Sequence, residues 1–123
     1  MRSKELGPSQ RQLRVGEQVK HVIAQHLQRG SFSDPALYEL ASQITVSEVR
    51  VSPDMKNATA FIMTLGGRNM DEVLPALNEA THEFSKEIGK HIRTKFTPRI
   101  KFISDDSYGY AEKIANLIQQ ANK

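Results

Sequence analysis

Residues 44–65 read ITVSEVRVSPDMKNATAFIMTL, in which two runs of strand-forming residues flank a short polar segment. Along residues 44–51 apolar side chains alternate with polar ones, and the phase of the alternation changes near Ser47, which predicts a strand with a bulge. Residues 52–57 are of turn-forming types, and residues 58–65 are again rich in strand formers. The stretch therefore predicts a β-hairpin.

The second strand of this hairpin carries apolar side chains on both faces. They are Ala58, Ala60 and Ile62 on one face and Phe61, Met63 and Leu65 on the other. A strand with two apolar faces indicates a sheet that is covered on more than one side. Gly66 and Gly67 are expected to end the strand.

An amphipathic helix is predicted before the hairpin. Apolar residues recur at the helical period over residues 10–28, and Gly30 is placed to close the helix. The segment that follows, with Asp34 and Pro35, is expected to be a loop.

Helical periodicity returns after the hairpin. The stripe begins near Asp71, because Pro75 is tolerated only close to a helix start, and it continues to Pro98, which is expected to stop the helix. Residues 99–103 alternate as a third strand, and residues 110–121 have the period of a last amphipathic helix.

The predicted order is helix, strand, strand, helix, helix, strand, helix, which is the order of a compact α+β domain. A three-stranded sheet with helices packed on one face fits it, and the type II arrangement of the KH domain, an RNA-binding module, has this order. Other small α+β folds remain open on order alone. Residues 1–9 are expected to be a flexible N-terminus, and residues 10–121 one domain that includes the C-terminal helix.

Length and composition limit the class of protein. A chain of 123 residues with 38% hydrophobic residues fits a single domain. The lack of cysteine excludes disulfides and thiolate zinc sites. The polar start has no signal-peptide run and no stretch is long enough to span a bilayer, so a soluble protein that is not exported is expected.

Positive charge is concentrated near the third strand. The net charge of +3 mildly favours an anionic partner, and within residues 86–101 six basic residues stand against Glu87 alone. The basic residues are Lys86, Lys90, Arg93, Lys95, Arg99 and Lys101. The first three share one face of the predicted helix, and the last two share one side of the predicted strand. The pattern predicts contacts with RNA phosphates, although an ordinary solvated face is the alternative.

Enzymatic functions find no support in the residues. The chain has no cysteine nucleophile, no Gly-x-Ser-x-Gly elbow and no phosphate loop, and its four histidines are not spaced as metal ligands. Asp105 and Asp106 suit helix capping better than acid–base catalysis. We expect no enzyme activity, no cofactor, no metal and no small-molecule substrate.

The backbone clamp of a typical KH domain is absent. That clamp is a Gly-x-x-Gly loop between the two central helices, and Ala80, Thr81 and His82 stand at the corresponding place. His82 is a candidate RNA contact, although a plain surface histidine is the more common case.

Several segments together resemble the ribosome-binding factor A family over residues 10–118. They are Arg11 with RVGEQVK at 14–20, the hairpin VRVSPDMKNA at 49–58, LNEA at 77–80, IGK at 88–90, Pro98 with Ile100 and Phe102, and DDS at 105–107 with Ile114 and Leu117. Their order and joint coverage carry the resemblance, because each alone is weak.

The resemblance implies a KH-like fold of type II and a cytoplasmic bacterial protein, a monomer and not an enzyme, that binds the rRNA of the immature small ribosomal subunit. It implies a role in late maturation, including processing of the rRNA 5′ end, association with free subunits rather than translating ribosomes, and growth in the cold. Arg11, Arg14 and Lys56 are additional candidate RNA contacts.

The family commonly has an Ala-x-Gly kink where a KH domain has its clamp. Ala80 and Thr81 match the kink, but His82 stands where glycine is usual, which leaves both a kinked and a straighter helix open.

Three other functions remain open on the residues. A general single-stranded nucleic-acid module would bind short oligonucleotides as well as it binds subunits. A protein-interaction adaptor that uses the sheet face or the last helix would respond little to salt. A nuclease, the least favoured of the three, would cleave purified precursor rRNA unaided.

Overall fold

The computed structural model describes residues 7–30, 32–93 and 97–105. Within them lie four α-helices and three strands. They are α1 (Gln10–Arg29), α2 (Pro35–Leu40), β1 (Ile44–Val51), β2 (Asn57–Thr64), α3 (Met70–Glu79), α4 (Thr81–His91) and β3 (Arg99–Ser104). Single 3₁₀ turns at Ala41–Gln43 and Leu65–Gly67 precede β1 and follow β2.

The three strands form one sheet in the order β1-β2-β3. β1 pairs with β2 antiparallel, and the register shifts between Val46 and Glu48, so the predicted bulge at Ser47 is confirmed. β2 pairs with β3 in parallel, and α3 and α4 form the crossover that a parallel connection requires. The hairpin and the third strand were both predicted within one residue of their ends.

The core lies between one face of the sheet and the helices. In every strand one alternating set of residues is mostly buried, and the other set is exposed or half-buried. Large side chains at the centre of the core come from α1, α3, α4, β2 and β3: Ile23, Leu77, Phe84, Ile62 and Phe102. The prediction of helices on one face of the sheet is confirmed for the described part of the chain. We call the face turned away from these helices the outer face.

The first helix is fixed at both ends by its own sequence. Ser9 and Gln12 form a reciprocal capping box, and Gly30 closes the helix in the left-handed conformation, with φ of 65°. The Gln12 side-chain amide also donates to the Val51 carbonyl oxygen at 2.9 Å. The start of α1 is thereby tied to the end of β1.

The loop predicted around Asp34 and Pro35 is wrong, because these residues begin α2. The Asp34 carboxylate accepts from the Ala36 N–H at 2.8 Å, and Pro35 occupies the first helical turn, where its missing N–H costs nothing. Leu37 is the one buried residue of this six-residue helix, so no periodic stripe marks it in the sequence.

The prediction that the helical stripe runs up to Pro98 is also wrong. α4 ends at His91, and Ile92 is already extended, with φ of −119° and ψ of 123°. Ile92 is nevertheless buried. It continues the apolar stripe of the sequence from a backbone that is no longer helical.

The helix predicted for residues 110–121 lies outside the described residues, as does the first part of the predicted N-terminal segment. Among the described helices none has the length and apolar character needed to cross a membrane.

Candidate nucleic-acid interface

α4 separates a buried stripe from an exposed basic side. Phe84 and Ile88 are buried in the core, and Lys86 and Lys90 are exposed on the opposite side of the helix. This arrangement leaves the ammonium groups of both lysines in solvent, so neither lysine charge is buried.

Lys90 takes part in a small ion-pair network. Its ammonium lies 3.1 Å from one carboxylate oxygen of Glu87, and the guanidinium of Arg29 in α1 lies 2.8 Å from the other oxygen. Hydrogen bonds from Lys90 and Arg29 lower the pKa of Glu87. Glu87 is half-buried whereas Lys90 is exposed, so the Lys90 ammonium remains accessible to a phosphate from the solvent side.

Arg93 and Lys95 do not extend this helical side. Arg93 is exposed but lies beyond the end of α4, so the shared helical face predicted for three basic residues holds only for Lys86 and Lys90. Lys95 lies outside the described residues.

Arg99 and Lys101 lie on the outer face of the sheet. Arg99 pairs with Asn57 and Lys101 pairs with Thr59, whose other neighbour is Arg50 of β1. Cross-strand partners point to the same side of a sheet, so Arg50 joins the two basic residues of β3 there. All three are exposed.

Arg50 was missed by the sequence analysis because it lies in the hairpin and not in the basic segment. The sequence pattern that could have indicated it is the polar side of β1, on which Glu48 and Arg50 both fall. In the structure Arg50 lies 2.7 Å from the Glu48 carboxylate. Its guanidinium also sits 5.2 Å from the centre of the Phe61 ring.

A cleft of about 570 Å³ connects α4 with β3. Lys86 lines it from the helix and Arg99 from the strand. The other lining residues include Thr81, His82, Ser85 and Thr97. Two cations with hydroxyl donors between them are suited to hold an anionic oxygen group such as a phosphate.

The hairpin turn brings Lys56 to the same place. The Asp54 carboxylate accepts from the Ser52 hydroxyl at 2.6 Å and from the Lys56 N–H at 3.0 Å, and these bonds lower its pKa. The Lys56 carbonyl oxygen in turn accepts from the Arg99 N–H at 2.8 Å. Lys56 is therefore adjacent to Arg99. We call Arg50, Lys56, Lys86, Arg99 and Lys101 the basic surface.

The break between α3 and α4 is a single residue. Ala80 has φ of −96° and ψ of 14°, and its N–H lies 3.1 Å from the carbonyl oxygens of both Ala76 and Leu77. Its methyl group is buried in the core. The two helices are thus separate elements without a glycine between them. Thr81 and His82 form the first turn of α4, and both line the cleft.

Arg11 and Arg14 are exposed on the first turns of α1. The bond from Gln12 to Val51 holds this end of α1 beside the end of β1 that leads into the hairpin turn. Arg11 therefore lies at the same end of the molecule as Lys56.

The histidines of the described residues are candidate metal ligands by residue type. His21 and His91 line a second cleft, of about 460 Å³, between α1 and the end of α4. No group of three potential ligands occurs there or elsewhere in residues 7–30, 32–93 and 97–105.

A family model described as ribosome-binding factor A matches residues 11–118, which is most of the chain. The chain belongs to the ribosome-binding factor A family. The resemblance predicted from the quoted segments is therefore confirmed, and the matched region includes every residue of the basic surface.

Relatives named ribosome-binding factor A are similar over most of their length. The protein of Rhodospirillum rubrum is 45% identical over 119 residues, covering 97% of this chain and 71% of its own. The protein of a Bradyrhizobium species is 46% identical over 113 residues, covering 92% of this chain and 80% of its own.

Solved structures of ribosome-binding factor A show the same fold. The crystal structure from Thermus thermophilus matches with a TM-score of 0.63 at 24% identity, covering 76% of this chain and 94% of its own. The solution structure of a Thermotoga maritima protein matches with a TM-score of 0.67 at 24% identity, covering 82% and 92%. The KH-like fold predicted from the sequence is confirmed.

A third structural match is a homology model of the Thermus thermophilus factor, fitted into an electron-microscopy map of its complex with the 30S subunit. It matches with a TM-score of 0.59 at 24% identity, covering 74% of this chain and 91% of its own.

Proposed function

We propose that this chain binds the immature small ribosomal subunit by holding rRNA phosphates on its basic surface, and that it assists late maturation of the subunit. The observation that carries the proposal is the cleft that Lys86 lines from α4 and Arg99 lines from β3. Membership of the ribosome-binding factor A family supports the choice of partner.

The finer parts of the proposal follow from the family resemblance. They are action in the cytoplasm as a monomer, association with free subunits rather than translating ribosomes, a contribution to processing of the rRNA 5′ end, and support of growth in the cold. Lys90, Arg93, Lys95, Arg11, Arg14 and His82 are proposed as further RNA contacts around the basic surface.

The proposed mechanism uses binding energy alone. A protein that binds one conformation of an rRNA region more tightly than another shifts the population toward that conformation without breaking a bond. Phosphate contacts supply affinity and orientation, and the shape of the folded RNA supplies the selectivity. Release follows when maturation removes the bound conformation.

Neutralising the cleft tests this function. The variants Lys86→Gln and Arg99→Gln are each expected to weaken binding to purified immature small subunits. Each is expected to reduce the slope of log affinity against log salt by about 0.7–0.9, the value for one lost phosphate contact. The measurement is a binding titration at several potassium chloride concentrations.

Arg68→Gln is the matched control. Arg68 is exposed just beyond the far end of β2, at the opposite end of the strand from Asn57, and the substitution removes the same charge. It is expected to leave the salt slope unchanged. Equal losses in all three variants would mean that net charge, not the cleft, governs binding, and unchanged binding in the two cleft variants would locate the interface elsewhere.

Sedimentation tests the choice of partner. The tagged protein is expected to travel with free small subunits and to be depleted from translating ribosomes. Comparable affinity for short unstructured oligonucleotides would instead favour a general single-stranded RNA-binding module.

A further inference from the structure

The outer face of the sheet carries one arginine side chain that two neighbours hold in place. Arg50 of β1 and Phe61 of β2 both lie on this face, and the Cζ atom of Arg50 sits over the Phe61 ring, 5.2 Å from its centre. Nε of Arg50 donates to the Glu48 carboxylate at 2.7 Å. Glu48 is the direct cross-strand partner of Phe61, so the three side chains form one group. We call Glu48, Arg50 and Phe61 the arginine platform.

The arginine platform leaves one side of the guanidinium open to solvent. The Phe61 ring covers one side, yet 68% of the Arg50 side chain is exposed. The ring below and the Glu48 carboxylate beside it both restrict the long arginine side chain. A planar cation that is already ordered loses less side-chain entropy when a ligand stacks on it. The platform therefore presents a flat and charged surface that is prepared for a planar partner.

Two cations of β3 lie across the sheet from the arginine platform. Lys101 is in the same cross-strand row as Arg50, since both pair with Thr59, and Arg99 lies two residues earlier on the same face. The two β3 side chains are exposed and form no ion pair with any described residue. Adjacent strands are about 4.8 Å apart, so β1 and β3 are separated by about 10 Å. One nucleotide, from its phosphate to the far edge of its base, can span that distance.

We infer that an unpaired RNA base stacks on the open side of the Arg50 guanidinium while Arg99 and Lys101 hold phosphates of the same strand. Proteins that recognise single-stranded RNA commonly stack its bases on aromatic rings or on arginine guanidinium planes. The inference rests on the proposed binding to rRNA, and it adds that the RNA on the outer face is single-stranded. Because every base can stack, this contact selects unpaired RNA and not a particular sequence.

Exchange of arginine for lysine separates stacking from charge, because lysine keeps the positive charge but has no planar group. Arg50→Lys is expected to weaken binding to immature small subunits by about five-fold or more, in the range of one lost base stack. Because the charge is kept, the slope of log affinity against log salt is expected to stay at the wild-type value. The measurement is a binding titration of the full-length protein at several salt concentrations.

The matched control is Arg99→Lys, the same exchange at an exposed position of the same face. Lysine binds phosphate as a point charge, so this variant is expected to stay within about two-fold of the wild-type affinity. Wild-type affinity of Arg50→Lys would mean that Arg50 supplies only charge and would overturn the inference. Equal losses in the two variants would overturn it as well, because the planar group would then have no special role at Arg50.

An NMR titration of the full-length protein tests the stack without the subunit. The probe is single-stranded oligoadenylate, and the control is inorganic polyphosphate of similar chain length, which carries phosphates but no bases. The ring current of a stacked adenine is expected to shift the δ-methylene protons of Arg50 upfield with oligoadenylate only. An equal shift with polyphosphate, or none with oligoadenylate, would refute the stack. Unchanged subunit binding of Lys86→Gln and Arg99→Gln would instead contradict the proposed function, so the two failures are distinguishable.

Discussion

Gly16 marks the closest approach of the first helix to the sheet. A Cβ atom at this position would lie 2.8 Å from the carbonyl oxygen of Val49. The obstacle is backbone, which cannot turn aside as a flexible side chain does. Gly16 therefore allows α1 to pack directly on β1, where a larger residue would push the helix away from the core.

The Gly16→Ala variant is expected to lower the free energy of unfolding by about 1–3 kcal/mol, the usual cost of overpacking. Gly89→Ala is the control, since Gly89 is an exposed helical glycine whose added Cβ meets only the Thr97 side-chain oxygen, at 3.3 Å. Alanine there gains up to about 1 kcal/mol of helix propensity. Urea denaturation measures both, and equal stability of the two variants would contradict the steric account.

His26 is the buried titratable residue of the core. Its ring centre lies 4.7 Å from that of Phe32 and 5.1 Å from that of Phe84, both edge to face, and neither ring nitrogen has a hydrogen-bond partner. Burial lowers its pKa from the usual value, against a smaller opposite effect of Glu87. The folded state therefore prefers the neutral ring.

Because the folded pKa of His26 is the lower one, the unfolded chain binds more protons in the window below about pH 6.5. The contribution of His26 to the free energy of unfolding is fully present above that pH. It is lost as the pH falls toward the pKa that His26 has in the folded protein. His26→Phe is expected to remove this part of the pH dependence, and His82→Gln, at an exposed position, to leave it intact. Urea denaturation at a series of pH values measures the effect, and identical profiles for wild type and His26→Phe would refute it.

At the scale of elements, Asn78 protects the edge of the sheet. Its Oδ1 accepts from the Phe102 N–H at 2.9 Å, and its Nδ2 donates to the Phe102 carbonyl oxygen at 3.0 Å. One side chain of α3 thus takes the place of a neighbouring strand beside β3, whose outer edge would otherwise be unpaired.

Asn78→Asp is expected to destabilise the fold by about 1–3 kcal/mol, because a carboxylate can accept from Phe102 but cannot donate to its carbonyl oxygen. Glu79→Gln, at the exposed neighbouring position, also changes the net charge by one unit, although in the opposite direction, and is expected to leave the stability close to that of the wild type. The comparison is made by urea denaturation and by amide exchange of Phe102. Unaltered protection of that amide in Asn78→Ala would show that the edge does not depend on this side chain.

The elements predicted correctly from the sequence are those whose hydrophobic pattern appears in consecutive residues. Alternation and its change of phase revealed the hairpin and the bulge at Ser47, because both are written into consecutive residues. α2 was missed because a six-residue helix with only Leu37 buried has no period to detect. The end of α4 was misplaced because Ile92 keeps the helical spacing while its backbone is extended. Periodicity records which side chains are buried and does not report the backbone that buries them.

At the scale of the whole molecule, the basic surface extends around an edge of the sheet. Lys86 approaches it from the helical side, and Lys101 and Arg50 lie on the outer face, with Arg99 between them in the cleft. The sequence shows that basic residues are concentrated near β3. It does not show that Arg50 and Lys56 lie beside Arg99, because their position depends on strand register and on the packing of α4.

This arrangement predicts how the two sides contribute to binding. If rRNA contacts both sides of the edge, Lys86→Gln and Lys101→Gln each lower the salt slope by about 0.7–0.9, and the double variant lowers it by the sum. We expect this additive result in titrations with immature small subunits. If Lys101→Gln keeps the wild-type salt slope while Lys86→Gln reduces it, the RNA contacts only the helical side of the edge.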